Sequence, residues 1–567
     1  MMMNFGAAVM RLLQQLVNPT ALISAGSVDW IPTTHLDRLR QYALFRALDE
    51  GHFATLLKDK EDGKKLREYG DAGLINVTSR DAVFGDQLGF DVPGATDQDN
   101  VGARARKLLL ERWGARERWA TRIITGEGDA AAVGDAVYEL RADGTRLRLR
   151  GHSPEHFFPV WESDAGEFTE AYLAWEEENT GQWPGSTEPL PRLRARLGDV
   201  VLYRRHYRVE TAAGGKPRCL VTAGWYSIKM ASGQQDQPSL DDLTLIAAEL
   251  TSSGTPVVDL DTGFEDVPLY FVPNIESTRQ PWGLPEAHGV YQVLLDLQKD
   301  HADLAANTYA NAFPILYDEN PPVGAGRAVP GGGAPTKSQE TYKPGTLYNG
   351  RKIGVVDLSK GNELLLEHER FLVEKALTNS RTTAVAAGRV APNEVPSGVA
   401  LLIALMPLAA KTMPKRVTRR DKLGMLLKHA LRWTRDQADP RELLTDADLA
   451  GADLVRGPGG WPAGIWDDDR AYPTFGAILP IDRQQMATNV RDLVAANAMS
   501  LETAVACLQL AGFPIDDARA EVERIREDLQ PPAGAPGSGL GNEGKPIPIP
   551  GLDDEDDDVP ADKEKAA

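Results

Sequence analysis

Apolar residues are most concentrated at Val399 to Ala410, and the residues around that run constrain the fold more than overall composition does. Pro396-Ser397-Gly398 precedes it, Pro407 interrupts it and Pro414 follows it. The run is shorter than the ~20 apolar residues a bilayer span requires, so it predicts a helix packed in protein. Ser397 is placed to cap the first amides of that helix. Each proline removes an intrahelical donor and crowds the preceding turn, so a kink or break is expected at Pro407 and at Pro414. The basic cluster Lys411, Lys415, Arg416, Arg419, Arg420 and Lys422 lies along the same segment. It reads as a solvated face or a set of ion-pair partners for carboxylates, with phosphate contact as the other reading.

Upstream, Val290, Leu294, Leu297, His301 and Leu304 recur at i, i+4, i+7, i+11 and i+14, the spacing of one helical face. Asp296, Lys299, Asp300 and Asp303 fall away from that stripe. A helix from Glu286 to Ala312 would be roughly 40 Å long at about 1.5 Å per residue. Phe313 to Tyr317 reads as a strand. Pro321 to Lys343, with Gly331-Gly332-Gly333, is too poor in apolar residues for a core. Thr346 to Leu358 returns to a strand pattern through an Asn349-Gly350 turn. This excursion predicts a small β module held between helices. The second helix is Asn362 to Ser380, with Leu364, Leu365, Phe371, Leu372 and Ala376 as its packing residues. Residues 381–398 form a loop of mostly small residues that carries Arg381 and Arg389.

The rest predicts an α+β protein. Leu36, Leu39, Ala43, Leu44 and Ala47 have helical spacing, and Val101 to Ile124 is helical. A hairpin is expected where Ala136 to Leu140 and Arg146 to Arg150 flank Asp143-Gly144. Further strands fall at Ala171 to Trp175, Val200 to Val209, Leu220 to Ile228 and Leu269 to Val272. Helices return at Gln484 to Leu529, where Ser500 is an N-cap, and Pro531 to Ala567 becomes acidic and is expected to be disordered.

At 567 residues the chain needs several packing units. Its 42% hydrophobic and 25% charged residues are ordinary for a globular protein. Cys219 and Cys507 suggest neither a disulfide framework nor a zinc site. Met1 to Pro19 lacks the apolar core of a signal peptide and reads as an amphipathic helix. A net charge of -20 argues against a generic nucleic-acid binder, because such affinity comes mostly from neutralising phosphates. No phosphate-binding loop, nucleophile elbow, zinc-protease helix or paired C-x-x-C is present. Glu367-His368-Glu369 and His152-Ser153-Pro154-Glu155-His156 are the dense ligand-type clusters, and both read as surface or packing residues. No cofactor, metal or enzymatic activity is therefore expected.

In their order, these parts resemble tailed-phage portal proteins over roughly residues 35–530. The resemblance is carried by Gly134-Asp135-Ala136-Val137, Pro281-Trp282-Gly283, Pro396-Ser397-Gly398-Val399-Ala400, the Leu-rich helix reaching Pro407-Leu408, and Ser500-Leu501-Glu502-Thr503-Ala504. The chain departs from the usual pattern at the polar insertion Gln182 to Pro191 and near Gly331. The resemblance implies an N-terminal arm (1–34), an α+β wing (35–284), a stem helix (285–312), a clip (313–360) and a second stem helix (361–380). A tunnel loop (381–398), a kinked helix with the second part of the wing (399–483), a helical crown (484–530) and a disordered acidic tail (531–567) follow. It also implies a homo-oligomeric ring, usually of about twelve subunits, at a capsid vertex of the virion, assembled in the host cytoplasm. Its partners would be double-stranded DNA, the terminase large subunit, a head-completion protein, and the major capsid and scaffolding proteins. Asp296, Lys299, Asp300 and Asp303 would face the DNA channel, and Arg381 and Arg389 would touch phosphate at the constriction. The alternatives are another oligomeric phage structural protein of the capsid or connector, and a carboxylate-based hydrolase.

Overall fold

The structure, a computed structural model, describes residues 30–51, 70–162 apart from 86 and 98, 168–178, 200–211, 215–227, 240, 243–312, 316–318, 353–355, 359–389, 398–478, 483–510, 515 and 518–529. The N-terminal arm to residue 29, the Gln182 to Pro191 insertion, Gly331 to Gly333, the Asn349-Gly350 turn, Ser397 and the acidic tail lie outside the described residues. The chain divides into two compact units, Met1–Pro480 and Ile481–Ala567.

The larger unit opens with α1 (Thr33–Asp49), α2 (Asp71–Phe84), β1 (Leu88–Asp91), α3 (Val101–Glu117) and α4 (Trp119–Val133). Asn100 caps α3 by accepting from the Ala103 amide at 3.0 Å. The expected hairpin follows as β2 (Asp135–Asp143) and β3 (Arg146–His152), with Asp143 opposite Arg146. That register makes Gly144 and Thr145 the central turn residues, and Gly144 takes the positive φ of 63°. Leu147 and Leu149 alternate inward along β3, while β2, paired on its two edges with β3 and β10 (Leu269–Pro273), is buried at both alternating positions from Asp135 to Leu140 and has α4 packed against it.

A second, antiparallel sheet runs β4 (Phe157–Trp161), β5 (Phe168–Glu178), β6 (Val200–Thr211), β7 (Pro217–Ser227) and β8 (Thr244–Ala248), with β9 (Leu260–Asp261) also paired to β7. Strands occupy Ala171 to Trp175, Val200 to Val209 and Leu220 to Ser227, as the sequence predicts. Helix α1 packs on this sheet through Leu39, Tyr42 and Ala43 against Phe158, Tyr172 and Leu202. His35 lies there too, 7% exposed and edge-on to Phe158 and Trp282. Burial, and secondarily Arg38, lowers its pKa to about 3. A folded pKa below the unfolded ~6.5 means a stabilising contribution that is complete above pH 6.5 and is lost as pH falls toward 3. Replacing His35 with Phe is therefore expected to gain about 1.4 kcal/mol relative to wild type when the pH falls from 7.5 to 5.5. Urea unfolding at both pH values measures this, and a pH-independent difference between the two proteins would refute it.

After β10 come α5 (Tyr291–Ala312), β11 (Leu316–Asp318), β12 (Ile353–Val355), α6 (Ser359–Asn379) and α7 (Gly398–Gln437). The 3-10 turn Glu286–Gly289 precedes α5, so the regular helix starts later than the sequence suggests. β11 pairs antiparallel with β12. Two short helices, α8 (Pro440–Leu443) and α9 (Asp446–Gly451), lead to β13 (Tyr472–Phe475), which pairs with β1.

Helix α7 corrects the expectation of a break, since it continues for 40 residues with Pro407 and Pro414 inside it. Both prolines lie on its exposed face, and so do Ile403 and Ala410, whose carbonyls lose their intrahelical donors. Water can therefore replace both lost bonds. The basic cluster is also revised, because Lys415 is 3% and Arg419 1% exposed, turned into the body.

The smaller unit contains α10 (Arg483–Ala495), α11 (Leu501–Leu510) and α12 (Ala518–Leu529). Ser500 caps α11 as expected, accepting from the Thr503 amide at 3.2 Å. Val490, Ala504, Val505 and Val522 are buried within this unit, and Arg526 of α12 pairs with Glu502 of α11.

Candidate functional site

Helices α5 and α6 lie antiparallel, because Asp300 and His301 meet His368 and Glu369 while Val290 and Leu294 share a core with Ala376. That core includes Phe45 and Leu48 of α1 and Ala72 and Ile75 of α2, so the body holds one end of the pair. Chain continuity places β11 and β12 at the other end.

On α5, Asp296 accepts from Lys299 at 3.1 Å, with side chains 45% and 50% exposed. Asp300 pairs with His368 Nδ1 at 2.5 Å, and Asp303 is exposed. These residues share one side of the helix, and Asp296 and Asp300 carry a cationic and an imidazole neighbour. The supposed ligand cluster Glu367-His368-Glu369 is divided, since His368 turns to Asp300 and Glu369 meets His301 at 3.1 Å. No group of three or more His, Cys, Asp or Glu suited to a metal occurs among the described residues. No helix among them is long and apolar enough to cross a membrane.

Arg381 and Arg389 come together. Arg381 follows α6 in the left-handed region, φ 55°, its amide bonding Thr378 O at 3.1 Å, while the Thr382 amide bonds Leu377 O at 2.9 Å. Instead of an open loop, the next residues form a tight turn, with Ala387 N on Thr383 O at 2.9 Å and Arg389 N on Ala384 O at 2.8 Å. Residues 390–397 lie outside the described residues. The turn, α6 and Pro407 border a cleft of about 530 Å³ lined by Arg370, Arg381 and Arg389, by Glu369 and Glu374, and by apolar Val373 and Leu377. Arg389 has Asp71 at 3.8 Å. Neither Arg370 nor Arg381 has a carboxylate at ion-pair distance among the described residues.

Asp71 was not singled out from sequence. From the start of α2 it accepts from Gln298 at 3.1 Å and lies 4.0 Å from His301 and 3.8 Å from Arg389. Burial raises its pKa, against the opposing pull of His301 and Arg389. One carboxylate therefore ties α2, α5 and the arginine turn together. No periodicity marks such a residue, because its partners are far away in the chain.

Beneath the cleft, α7 is latched to the body. Lys411 and Lys415 both pair with Glu286, whose other partner is Asn274 at 2.8 Å. Lys411 also donates to Ser380 O at 2.7 Å, at the end of α6. One turn further on, Arg419 grips Glu127 of α4 through two bonds of 2.6 and 3.0 Å. The ion-pair reading of the basic cluster thus fits Lys411, Lys415 and Arg419, and Arg420, 55% exposed, also lies 3.8 Å from Asp91.

Two of the sequence motifs dock on each other. Gly134 ends α4 with φ 114°, and its carbonyl accepts from Asn274 at 2.7 Å. Asp135 accepts from the Gly283 amide at 2.8 Å and from Tyr42, and burial pushes its pKa up to about 7. Trp282 lies 4.1 Å beneath the Arg38 guanidinium and edge-on to Trp161 and Phe271. Together they form the junction from which the α5–α6 pair departs.

These elements define a mixed α+β protein with several open sheets. Comparison with family models finds none that matches this chain, and comparison with curated proteins finds no similar one.

Proposed function

We propose that this chain is a portal subunit, copies of which form a ring at one vertex of a tailed-phage capsid through which double-stranded DNA is packaged and ejected. The supporting observation is the antiparallel α5–α6 pair, anchored at one end, carrying the β11–β12 pair at the other, and returning into a turn that presents Arg381 and Arg389. In a ring, such pairs would line a passage. Duplex DNA carries about one charge per 1.7 Å, so a strongly basic wall would hold it. The Asp296, Lys299, Asp300 and Asp303 face is weakly acidic and lets phosphate slide past, while Arg370, Arg381 and Arg389 give brief contacts. The β11–β12 module docks the terminase large subunit during packaging and a head-completion protein afterwards, and the α+β body meets capsid and scaffolding proteins. Terminase supplies the ATP hydrolysis; the ring itself is a passive conduit.

Negative-stain microscopy of the purified chain is expected to show rings with a central hole. Monomers or dimers under all conditions would remove the proposal. Arg381→Gly with Arg389→Ala is expected to leave ring assembly intact, because glycine relieves the left-handed residue. The same variant should package several-fold less DNA. Unchanged packaging would strip both arginines of their role.

A further inference from the structure

The cleft beside the turn after α6 carries several groups that nothing else in the fold uses. Arg381 sits in the left-handed backbone region, φ 55°, at the position after a helix where glycine is the usual residue, so its side chain is kept there against a backbone cost. Arg370 and Glu374 are one turn apart on α6 and both border the cleft, yet they pair neither with each other nor with any other charged group among the described residues. Thr382 lines the cleft too, 0% exposed, with a hydroxyl that has no hydrogen-bond partner among the described residues. A buried donor left open is costly, and an oxygen entering the cleft would satisfy it.

The other carboxylates nearby are committed. Glu369 meets His301, and Asp71 meets Gln298 and Arg389. A ligand therefore finds two guanidinium groups without partners, one carboxylate without a partner, a hydroxyl, and an apolar wall of Val373, Leu377 and Pro407. The way in is open, since Leu364 and Phe371 of α6, expected from sequence to pack inward, are 68% and 51% exposed.

This set of groups matches the parts of a nucleotide. A guanidinium fork fits a phosphate, an apolar wall fits the face of a base, and a carboxylate accepts from an exocyclic amine. The volume of about 530 Å³ lies within the roughly 300 to 1,000 Å³ of small-molecule sites. A paired duplex keeps its bases stacked inside and presents phosphates, which would leave the wall unused and meet repulsion from Glu374. We infer that the cleft binds one unpaired nucleotide whose base carries an exocyclic amine, with its phosphate at Arg370 and Arg381 and its amine at Glu374. The nucleotide is either free or the unpaired end of a DNA strand. This site goes beyond the portal reading and does not require a ring.

Equilibrium dialysis of the full-length chain against labelled dAMP tests it. One dAMP should bind per chain, the analogue with hydrogen in place of the amino group about tenfold more weakly, and inorganic phosphate more weakly still. Arg370→Ala should weaken dAMP and the analogue alike, whereas Glu374→Ala should weaken dAMP alone. Both positions are exposed, so both variants should keep the wild-type unfolding midpoint. Competition separates the two sources. A hairpin with one unpaired, phosphorylated dA displaces dAMP where strand ends are the ligand and fails to where the free nucleotide is. No dAMP bound at about 1 mM, equal binding of dAMP and the analogue, or displacement of dAMP by a blunt hairpin would overturn the inference. Rings that bind no dAMP refute this site alone, and bound dAMP without rings refutes the portal reading alone.

Discussion

Replacing Arg419 with Met is expected to destabilise the larger unit by roughly 3 to 5 kcal/mol, the range for breaking a buried ion pair from one side. Arg419 is 1% exposed, and besides Glu127 it donates to the carbonyls of Pro273 and Asn274 at 3.0 and 3.1 Å and to Asn274 Oδ1 at 3.2 Å. Methionine fills most of the volume but satisfies none of these acceptors. Glu127, 2% exposed, would lose both bonds from Arg419 and keep a buried charge whose remaining cationic neighbour, Lys415, is already paired with Glu286. Adding Glu127→Gln should recover a substantial part of the loss, because the unpaired charge is the largest component of the penalty. Urea unfolding of both variants measures this. A loss below about 1 kcal/mol for the single variant, or no recovery in the double, would show that the pair does not hold α7 to α4.

Gly283→Ala is the other large expected effect, a loss of roughly 3 kcal/mol or more. A Cβ at this position would lie 2.2 Å from Gly134 O, 2.8 Å from Asn274 N and 2.8 Å from Asp135 Oδ1. The first two are backbone atoms already committed to each other, so neither can rotate away as a flexible side chain would. Separating the segments would weaken the Gly283 to Asp135 bond and the Asn274 to Gly134 bond as well. Gly128→Ala is the control, since a Cβ there meets nothing within 4 Å. In the interior of α4 that change should stabilise by about 0.5 to 1 kcal/mol. If both alanine variants unfold at the wild-type midpoint, the junction is looser than its close contacts indicate.

Much of the local structure was legible in the sequence. The β2–β3 hairpin follows from alternation around one glycine, α5 from its apolar stripe, and the α11 cap from Ser500 ahead of a helical run. Each is decided by residues within a few positions of one another. The prolines of α7 show the limit of that reasoning. Their cost depends on whether the freed carbonyls face water or protein, which no pattern within the helix reveals.

The candidate site was legible in part. Arg381 and Arg389 were identifiable as cations between two helices, but their meeting with Arg370 in one cleft depends on the tight turn after α6. Asp71, which ties that turn to α2 and α5, had no sequence signal. Leu364 and Phe371 were read as inward because helical periodicity defines stripes without saying which stripe the body covers.

By itself, the sequence determined the type and order of the strongly patterned elements, such as the β2–β3 hairpin, α5 and α6, and the absence of familiar catalytic motifs, because periodicity and turn chemistry act between near neighbours. Only the tertiary structure decided the direction of charge. Lys415 and Arg419 look like surface cations in a basic run, yet they are buried against Glu286 and Glu127, the latter 292 positions away. A charge goes inside only where a distant segment supplies its counterpart, since burial without a partner costs several kcal/mol. That counterpart exists only once the chain has folded.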